Sequence, residues 1–325
     1  MRIRFKKTLR SISFAITAGT LALAACAFPT RPIRILVTSG AGGNVDVLTR
    51  LVGEQMSKTL GQPILVENVT GAGGLIALRR VARQAPADGY TLLAGSNTLV
   101  LAPAFNISPG YDPVKDLVGV GDMQTLPYIL LGPTSQPHKT LVELLAAGKA
   151  RPGALSLANG GIGTSTHLPA LMFAQQAGIE VVHVPYKGSA AALPDVVSGR
   201  TNGFFDTAAV AIPMMKEGNL RAYGVSCTRR MAQLPDVPTL AEQGLPNFEF
   251  KAYLGIVAPA ATPSDVIKRL NEALRAATRS DAMREYYQRS GSEPGTMSSD
   301  EFTAFIRRDA LDAEKIVSDL KIEKQ

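Results

Sequence analysis

Residues 38–46, TSGAGGNVD, follow the apolar run IRILV and open a segment with helical periodicity. Apolar residues recur at helical spacing from Val47 to Val52, and Gly61 ends the segment. A glycine-rich turn between a strand and a helix leaves backbone N–H groups free, and the helix macrodipole adds about half a positive charge there. The stretch therefore predicts an anion-binding turn at the carboxyl end of a strand.

The same order of strand, glycines and helix recurs along the chain. ALSLANGGIGTSTH, residues 154–167, precedes the helical segment LPALMFAQQAG, and YTLLAGSN, VVHVPY, GFFDT and LRAYGVSC have the composition of further strands. Alternation of short apolar runs with amphipathic segments predicts an α/β fold. The 298 residues after residue 27 have a length typical of two domains.

Nucleotide, cofactor and metal sites lack their sequence patterns. No GxxxxGK[ST] occurs, and Val45 and Ile76 stand where the third glycine of a dinucleotide-binding turn belongs. The three histidines, His138, His167 and His183, have no metal-ligand spacing, and no GxSxG nucleophile turn occurs. We therefore predict no cofactor and no metal, and we favour a carboxylate over a phosphate as the bound anion.

The first 27 residues have the pattern of a secretory signal peptide, with a basic start, an apolar stretch and small residues at its end. Two processing sites overlap, because Ala25-Cys26-Ala27 fits ordinary cleavage whereas LAAC, residues 23–26, fits a lipobox that would lipidate Cys26. The remaining chain carries 29 basic and 27 acidic residues, so its charge does not indicate nucleic-acid binding. We expect a periplasmic protein, either soluble or lipid-anchored.

Polar residues at the predicted strand ends are candidates for ligand contact. Ser96 and Asn97 follow the run TLLAG, and Asp206 follows GFF, at the strand ends where open α/β sheets bind ligands. An ammonium or hydroxyl group would suit Asp206. Asp46 lies in the first turn of its helix, so we assign it to capping. His167 either contacts ligand or ties its loop to the following helix.

Eight motifs occur in order along the chain: RPIRILV…GGNVD, LGQPILVENVTGAGG, DGYTLL, YDPVKDL, HLPALMF, HVPYKG, LPDVPTLAEQG and APAATP. Together they resemble the Bug, or TctC-like, family, the extracytoplasmic solute receptors of tripartite tricarboxylate transporters. The resemblance implies a type II-like periplasmic binding protein of two α/β domains with the ligand in the cleft between them. Domain 1 would comprise residues 28–125 and 250–325, domain 2 residues 126–249, and two chain crossings would form the hinge.

The same resemblance implies that two loops, one from each domain, hold a carboxylate of the ligand. The candidate residues are Ser39, Gly40, Gly42, Gly43 and Asn44 in the first loop, and Asn159, Gly161, Gly163, Thr164, Ser165 and His167 in the second. Neither loop contains arginine. We therefore expect backbone N–H groups of Gly42, Gly43, Gly161 and Gly163 to bind the carboxylate.

The chain departs from the family pattern in the first loop. Thr38, Ser39 and Ala41 replace the aromatic residue and prolines that are usual there, and Tyr253 stands where a tryptophan is common. The glycines that follow keep their places, so we still expect their backbone N–H groups to bind an anion. The identity of the ligand does not follow from the resemblance.

The expected function is a receptor that captures a small carboxylate and delivers it to the membrane permease subunits of a tripartite transporter. We expect it to act as a monomer and without catalysis. Two alternatives stay open at this stage. One is a ligand sensor for a membrane signalling partner, and the other is an exported α/β esterase acting through Ser165 and His167, for which no third orienting group is evident.

Overall fold

The structure is a computed structural model that describes residues 28–106, 108–319, 322 and 324. The expected signal peptide and the candidate lipidation site Cys26 lie outside the described residues. Within the described part of the chain, no helix combines the length and apolar character needed to cross a membrane.

Parallel strands form the first half of one mixed sheet. β1 (Ile33–Val37) lies between β2 (Ile64–Asn68) and β3 (Thr91–Ser96) and pairs in parallel with both. β9 (Lys251–Pro259) comes from much later in the chain and pairs antiparallel with β3. This half of the sheet is therefore discontinuous in sequence.

One long strand, β4 (Leu117–Pro133), connects the two halves of the sheet. Its residues 117–127 pair antiparallel with β9, whereas residues 128–133 pair with β7 (Gly203–Thr207) and β8 (Leu220–Val225). The pairing partners change between Pro127 and Tyr128. β4 thus belongs to both halves of the sheet and connects them through its own backbone.

The second half of the sheet is again built from parallel strands. β5 (Leu155–Asn159) lies between β7 and β6 (Val181–Pro185) and is parallel to both. The full strand order is β2-β1-β3-β9-β4-β7-β5-β6, and β10 (Glu293–Pro294) adds a short antiparallel pairing to β4. The structure confirms the predicted α/β class.

Helices pack on the sheet and connect its strands. Their bounds are α1 (Asn44–Leu60), α2 (Leu75–Arg79, continued by a π-helical turn), α3 (Thr98–Ala104), α4 (Leu141–Ala150), α5 (Leu168–Ala177), α6 (Ser189–Val197), α7 (Ala208–Lys216), α8 (Ser264–Thr278), α9 (Asp281–Ser290) and α10 (Ser299–Asp319). Gly61 ends α1 as predicted, because its left-handed φ of 69° turns its N–H onto the carbonyl of Ser57 at 2.9 Å.

Buried apolar side chains form two clusters. The larger extends over both halves of the sheet, and the smaller lies on one face of the second half. Phe204 and Phe205 are neighbours in β7 but enter different clusters, as the two-residue period of a strand requires. Asp206 therefore points to the same face as Phe204, towards α6. Cys227 is buried and is not in a disulfide bond with any residue that the structure describes.

The carboxyl ends of the parallel strands carry the candidate residues. β1 leads into residues 38–43, and β3 leads into Asn97. β5 leads into residues 160–167, and β7 ends at Thr207 just before α7. The fold thus presents each predicted ligand-binding segment at a strand end, which is where α/β sheets place their ligands.

Candidate ligand-binding site

Hydrogen bonds within the first loop and to Asp46 hold the loop in place. The N–H of Gly42 donates to Asp46 Oδ2 at 2.9 Å, and the N–H of Gly43 donates to the carbonyl of Gly40 at 3.3 Å. Asp46 also accepts hydrogen bonds from Arg50 and Asn68. Burial alone would raise the pKa of Asp46, but the bonds from Arg50, Gly42 and Asn68 outweigh it and hold the pKa below its usual value. Asp46 is therefore a structural carboxylate, as the sequence indicated.

Two polar side chains of the first loop face the interior of the site. Ser39 Oγ is buried and has no hydrogen-bond partner, while its carbonyl accepts from the side-chain amide of Asn68 at 3.0 Å. Asn44 Oδ1 accepts from the hydroxyl of Tyr286, on α9, at 2.8 Å. The first helical N–H groups of α1 have no acceptor within their own helix. Ser39 and the start of α1 thus retain hydrogen-bonding capacity.

The polar residues after β3 are partly engaged. Asn97 Oδ1 accepts from the backbone N–H of Tyr253 at 3.1 Å, so this side chain ties β3 to β9. Ser96 Oγ and Thr98 Oγ1 lie 3.1 Å apart and share a hydrogen bond. Both hydroxyls are buried at the start of α3. Ser96 and Asn97 lie at the carboxyl end of β3, and Asn97 has a structural partner there.

The second loop is held by bonds between its own residues. The N–H of Gly161 donates to Asn159 Oδ1 at 3.0 Å, and the N–H of Gly163 donates to His167 Nδ1 at 3.4 Å. The hydroxyl of Thr164 donates to the carbonyl of Gly161 at 2.6 Å. His167 therefore ties its loop to the following helix, which was one of its two expected roles.

The N–H groups of the four glycines expected to bind the carboxylate all have acceptors in this structure, and their binding of the ligand stays a prediction. Gly42 donates to Asp46 of α1, whereas Gly43, Gly161 and Gly163 each donate to an acceptor of their own loop. Buried side-chain atoms without a partner among the described residues include Ser39 Oγ, Asn159 Nδ2, Asp206 Oδ2 and Thr207 Oγ1 at the strand ends, and both amide atoms of Gln124 in the middle of β4. Buried polar groups are normally satisfied, so this concentration marks a place for a polar ligand.

Glycines bring the two loops and α3 together. A Cβ placed on Gly163 would lie 3.2 Å from Phe105 Cβ and 3.4 Å from Ala102 Cα. A Cβ on Gly73 would lie 3.1 Å from the carbonyl oxygen of Ile162. The ring centroids of Phe105 and His167 are 5.5 Å apart. The second loop therefore packs directly against elements of the first half of the sheet.

Tyr128, Ser165 and Asp206 connect the strand ends of the second half. The hydroxyl of Tyr128 donates to Ser165 Oγ at 2.8 Å. Asp206 Oδ1 accepts from the N–H of Thr207 at 2.7 Å, and Asp206 Oδ2 has no partner. Burial raises the pKa of Asp206 to about 7, against the opposing effect of the Thr207 N–H. Burial, followed by the nearby charge of Asp206, raises the pKa of Tyr128.

The two histidines of the second half lie edge to face, with ring centroids 5.4 Å apart. Burial, and next the proximity of His183, lowers the pKa of His167 to about 4, and burial lowers that of His183. Both rings are neutral at physiological pH. They line a cavity of about 230 Å³ behind the second loop together with Asn159 and Ile162. His167 and His183 are thus uncharged and part of the loop's support.

A serine–histidine catalytic pair is not formed by the described contacts. Ser165 Oγ is bonded to Tyr128, and His167 Nδ1 accepts from Gly163. A nucleophilic serine needs a hydrogen-bonded base that is itself oriented by a third group. Within the described residues, no cluster of three or more histidine, cysteine or acidic side chains could hold a metal ion.

Sequence reasoning missed Gln124, Tyr128, Thr207 and Tyr286. Gln124 and Tyr128 lie in β4, and Tyr286 lies on α9, so each reaches the site from another part of the chain. Gln124 stands in the sequence GDMQTLP beside other polar residues, so the local sequence does not mark it. Thr207 directly follows Asp206, at the same strand end. Nothing in the local sequence marks Tyr286.

Solved structures with this fold cover the chain almost completely. A structure of the periplasmic binding protein BugD superposes with a TM-score of 0.85 at 30% identity, covering 92% of this chain and all of its own. MatC (Rpa3494) from Rhodopseudomonas palustris with bound malate gives 0.84 at 31% identity, covering 89% of this chain and all of its own. R. palustris Rpa4515 with adipate gives 0.86 at 30% identity, covering 91% of this chain and 99% of its own.

The family described as the tripartite tricarboxylate transporter family receptor, TctC, matches residues 48–322. This match spans most of both halves of the sheet and the second loop of the site, and it begins within α1, just after the first loop. BugD is a periplasmic binding protein, and the similarity to it confirms the resemblance that the motifs indicated. This chain therefore belongs to the Bug, or TctC, family of solute-binding receptors of tripartite tricarboxylate transporters.

Proposed function

We propose that this chain binds a small carboxylate between the two strand-end loops and delivers it to the membrane permease subunits of a tripartite transporter. The observation that carries the proposal is the group of buried polar atoms without a partner at the strand ends and in β4, which includes Ser39 Oγ, Asn159 Nδ2 and Gln124 Nε2. Malate and adipate, the ligands bound in MatC and Rpa4515, are both carboxylates. Among the described residues, none of the ion pairs joins the two loops to a cationic side chain.

The donors available for the carboxylate are neutral hydroxyl and amide groups. The hydroxyl of Ser39 can donate one hydrogen bond, and the amide groups of Gln124 and Asn159 up to two each, without adding charge. A hydrogen bond to a charged group contributes about 1.5–3 kcal/mol, and the unpaired N–H groups at the start of α1 add a favourable dipole. A few such bonds, after the cost of association, are consistent with a dissociation constant on the order of micromolar.

The division into domains 28–125 plus 250–325 and 126–249 is part of this proposal. The change in the pairing of β4 between Pro127 and Tyr128 supports it, as does the start of β9 at Lys251. Both segments cross between the sheet halves side by side, because Pro127 pairs with Lys251. Opening at these two crossings would release the second loop from α3 and let ligand enter.

Export through residues 1–27 follows from the same assignment. We propose that the mature chain is periplasmic and begins at Cys26, with lipid attached, or at Phe28. Intact mass of the protein recovered from its native envelope decides between them. A mass corresponding to acylated Cys26 supports the lipobox, and an unmodified Phe28 terminus contradicts it.

A transport receptor should bind its ligand and return it unchanged. The partners of Ser165 and His167 support this part of the proposal, since neither residue is bonded to the other in the described contacts. Incubation with candidate carboxylates and with their esters should yield no product. Steady ester hydrolysis that is abolished by Ser165→Ala would overturn the receptor proposal in favour of an esterase.

The central test identifies the ligand and its charged group. Freshly purified protein is denatured, the released small molecule is identified by mass spectrometry, and calorimetry compares the acid with its methyl ester on ligand-free protein. We expect the acid to bind at least tenfold more tightly, because the ester removes one oxygen's charge and adds a methyl group to the site. Equal affinity for acid and ester would contradict carboxylate recognition.

A further inference from the structure

We propose that Asp206 forms a second subsite, which accepts a hydrogen bond from an ammonium or hydroxyl group on the second or third carbon of the bound carboxylic acid. The inference rests on the proposed function as a carboxylate receptor and narrows the ligand to amino or hydroxy acids. It starts from the geometry around Asp206 at the end of β7.

One carboxyl oxygen of Asp206 has no hydrogen-bond partner in the described structure. Its side chain is 3% exposed, and Oδ1 accepts from the N–H of Thr207 at 2.7 Å. Oδ2 is buried without a hydrogen-bond partner, and so is the neighbouring Thr207 Oγ1. A buried carboxyl oxygen without a donor is rare in proteins, and a donor on a bound ligand would complete its hydrogen bonding.

The position of Asp206 places it beside the second loop. β5 and β7 run parallel with Ala158 opposite Phe204, so two residues further along Asp206 is level with Gly160. A Cβ on Gly160 would lie 3.4 Å from the backbone N of Ser189 and 3.1 Å from Thr166 Oγ1, so the loop and the start of α6 leave no room there for a side chain. Neighbouring strands lie about 4.8 Å apart. A carboxylate held by the second loop would therefore lie about one strand spacing from the end of β7, where Asp206 stands.

The groups around Asp206 do not offer it a donor. Tyr128 lies near enough for the charge of Asp206 to raise the pKa of its phenol, but its hydroxyl donates to Ser165 Oγ. The hydroxyls of Ser189 and Thr207 lie close enough to Asp206 to favour its charged form, but neither reaches Oδ2 with the distance and angle of a hydrogen bond in this structure. Burial holds the pKa of Asp206 at about 7, so the carboxylate form is unsatisfied in the ligand-free protein and gains most from an incoming cation.

A purely structural role is the competing explanation. Asp206 faces the start of α6, where it would serve as a cap if it accepted a helical N–H. The residue before that helix is Gly188, and no side chain caps the helix. The one backbone bond that Asp206 makes is to Thr207, its own neighbour. The unpartnered oxygen is therefore not used by the fold.

The test uses ligand-free full-length mature protein and series of acids that differ only at the second carbon. The series are propionate, lactate and alanine; succinate, malate and aspartate; glutarate, 2-hydroxyglutarate and glutamate; and adipate, 2-hydroxyadipate and 2-aminoadipate. Calorimetry measures each with the wild type, Asp206→Asn, Asp206→Ala and the control Asp236→Asn, whose carboxylate is exposed in the same half. Circular dichroism confirms that each variant is folded.

In the series that binds, we expect the amino or hydroxy acid to bind at least about tenfold more tightly than the unsubstituted acid, which equals about 1.4 kcal/mol. Asp206→Ala should abolish this preference, and Asp236→Asn should retain it. Asp206→Asn separates the two donors, because an amide oxygen still accepts from a hydroxyl but no longer offers a charge to an ammonium. If Asp206→Ala does not fold, the test relies on Asp206→Asn. A preference for the amino acid over the unsubstituted acid that persists in Asp206→Asn would show that Asp206 does not bind an ammonium group.

Failure of the subsite and failure of the receptor proposal are distinguishable. If none of these acids and no acid released from the native protein binds the wild type, the carboxylate receptor proposal is wrong. If acids bind but the substituted members gain nothing, or if the gain persists in Asp206→Ala, the subsite is wrong and the receptor proposal stands.

Discussion

The hydroxyl of Tyr128 donates a hydrogen bond to Ser165 Oγ at 2.8 Å, and both groups are buried. Tyr128 is the first residue of β4 beyond the point at which that strand changes its pairing partners. Ser165 lies in the second loop of the candidate site. This bond therefore links the strand that crosses between the two halves of the sheet to a loop proposed to contact ligand.

Removing the Tyr128 hydroxyl should loosen the second loop. We expect Tyr128→Phe to lower the free energy of unfolding by about 1–2 kcal/mol, because Ser165 Oγ loses its donor in a buried place. Urea unfolding of the ligand-free protein measures the effect. In a double-mutant cycle with Ser165→Ala, the two losses should be less than additive. Additive losses would show that the two hydroxyls do not act together.

Gly163 should tolerate a side chain less well than Gly42. Both have left-handed φ angles, +72° and +80°, in which any alanine is strained by about 1 kcal/mol. Only Gly163 would also press its new Cβ against α3, at 3.2 Å from Phe105 Cβ, whereas a Cβ on Gly42 meets nothing within 4 Å. Gly163→Ala should therefore unfold at clearly lower urea concentration than Gly42→Ala.

The control for this comparison is Gly40→Ala, whose Cβ also meets nothing within 4 Å and whose φ is not left-handed. We expect its free energy of unfolding to stay within about 0.5 kcal/mol of the wild type. Equal stability of Gly163→Ala and Gly42→Ala would mean that the second loop does not pack on α3 in solution.

Asp206 should make the stability of the ligand-free protein depend on pH. Its pKa is about 7 in the folded protein and near the ordinary 3.8 when unfolded, so the folded state binds more protons between these values. The contribution of Asp206 to stability is therefore fully present below about pH 4 and is lost as the pH rises through 7. Asp206→Asn removes this loss.

Urea unfolding at pH 5 and pH 8 measures that effect as a difference between variant and wild type. From pH 5 to pH 8, we expect the free energy of unfolding of Asp206→Asn to rise by on the order of 2 kcal/mol relative to that of the wild type. Other titrating groups, such as Asp309 with its pKa raised by burial to about 6, are present in both proteins and cancel in the difference. A constant difference would show that Asp206 is charged in the folded protein at both pH values.

Substitution of Gln124 should weaken ligand binding without lowering the stability of the ligand-free protein. Its side chain is fully buried, and neither amide atom has a partner. We expect Gln124→Met, which removes the unsatisfied amide at similar volume, to leave the ligand-free protein at least as stable and to weaken ligand binding about tenfold or more.

The matched control for Gln124 is Gln136, whose amide donates to the carbonyl of Asn202 at 3.0 Å and contacts Tyr223. Gln136→Met should lower the free energy of unfolding by about 1–3 kcal/mol and leave the affinity for ligand unchanged. If Gln124→Met instead destabilises the ligand-free protein as much as Gln136→Met does, Gln124 has a structural partner and does not serve the ligand.

The local units of the fold were predictable because they depend on neighbouring residues. The strand before Thr38, the glycine turn and the helix that Gly61 ends are each encoded by a few adjacent positions. The same holds for the run that forms β5 and the loop after it. The capping role of Asp46 was also predictable, since a carboxylate in the first turn of a helix accepts nearby N–H groups.

The order of motifs along the chain determined the family, and with it the α/β class and the general position of the site. Which groups in the loops are free was decided by the tertiary structure. The N–H groups of Gly42 and Gly163 find acceptors in Asp46 and His167, because the turns fold back on their own helices. A sequence pattern shows that a donor exists but not which acceptor occupies it.

The sequence by itself determined the strand–turn–helix units, the class of fold, the family and the strand ends at which ligand is expected to bind. The tertiary structure alone decided that β4 exchanges partners at Tyr128, and that Gln124, Tyr128 and Tyr286 reach loops that are distant in sequence. The physical reason is that helices and turns are set by local hydrogen bonds and periodicity. Contacts between remote side chains arise only when the packed sheet fixes their distances.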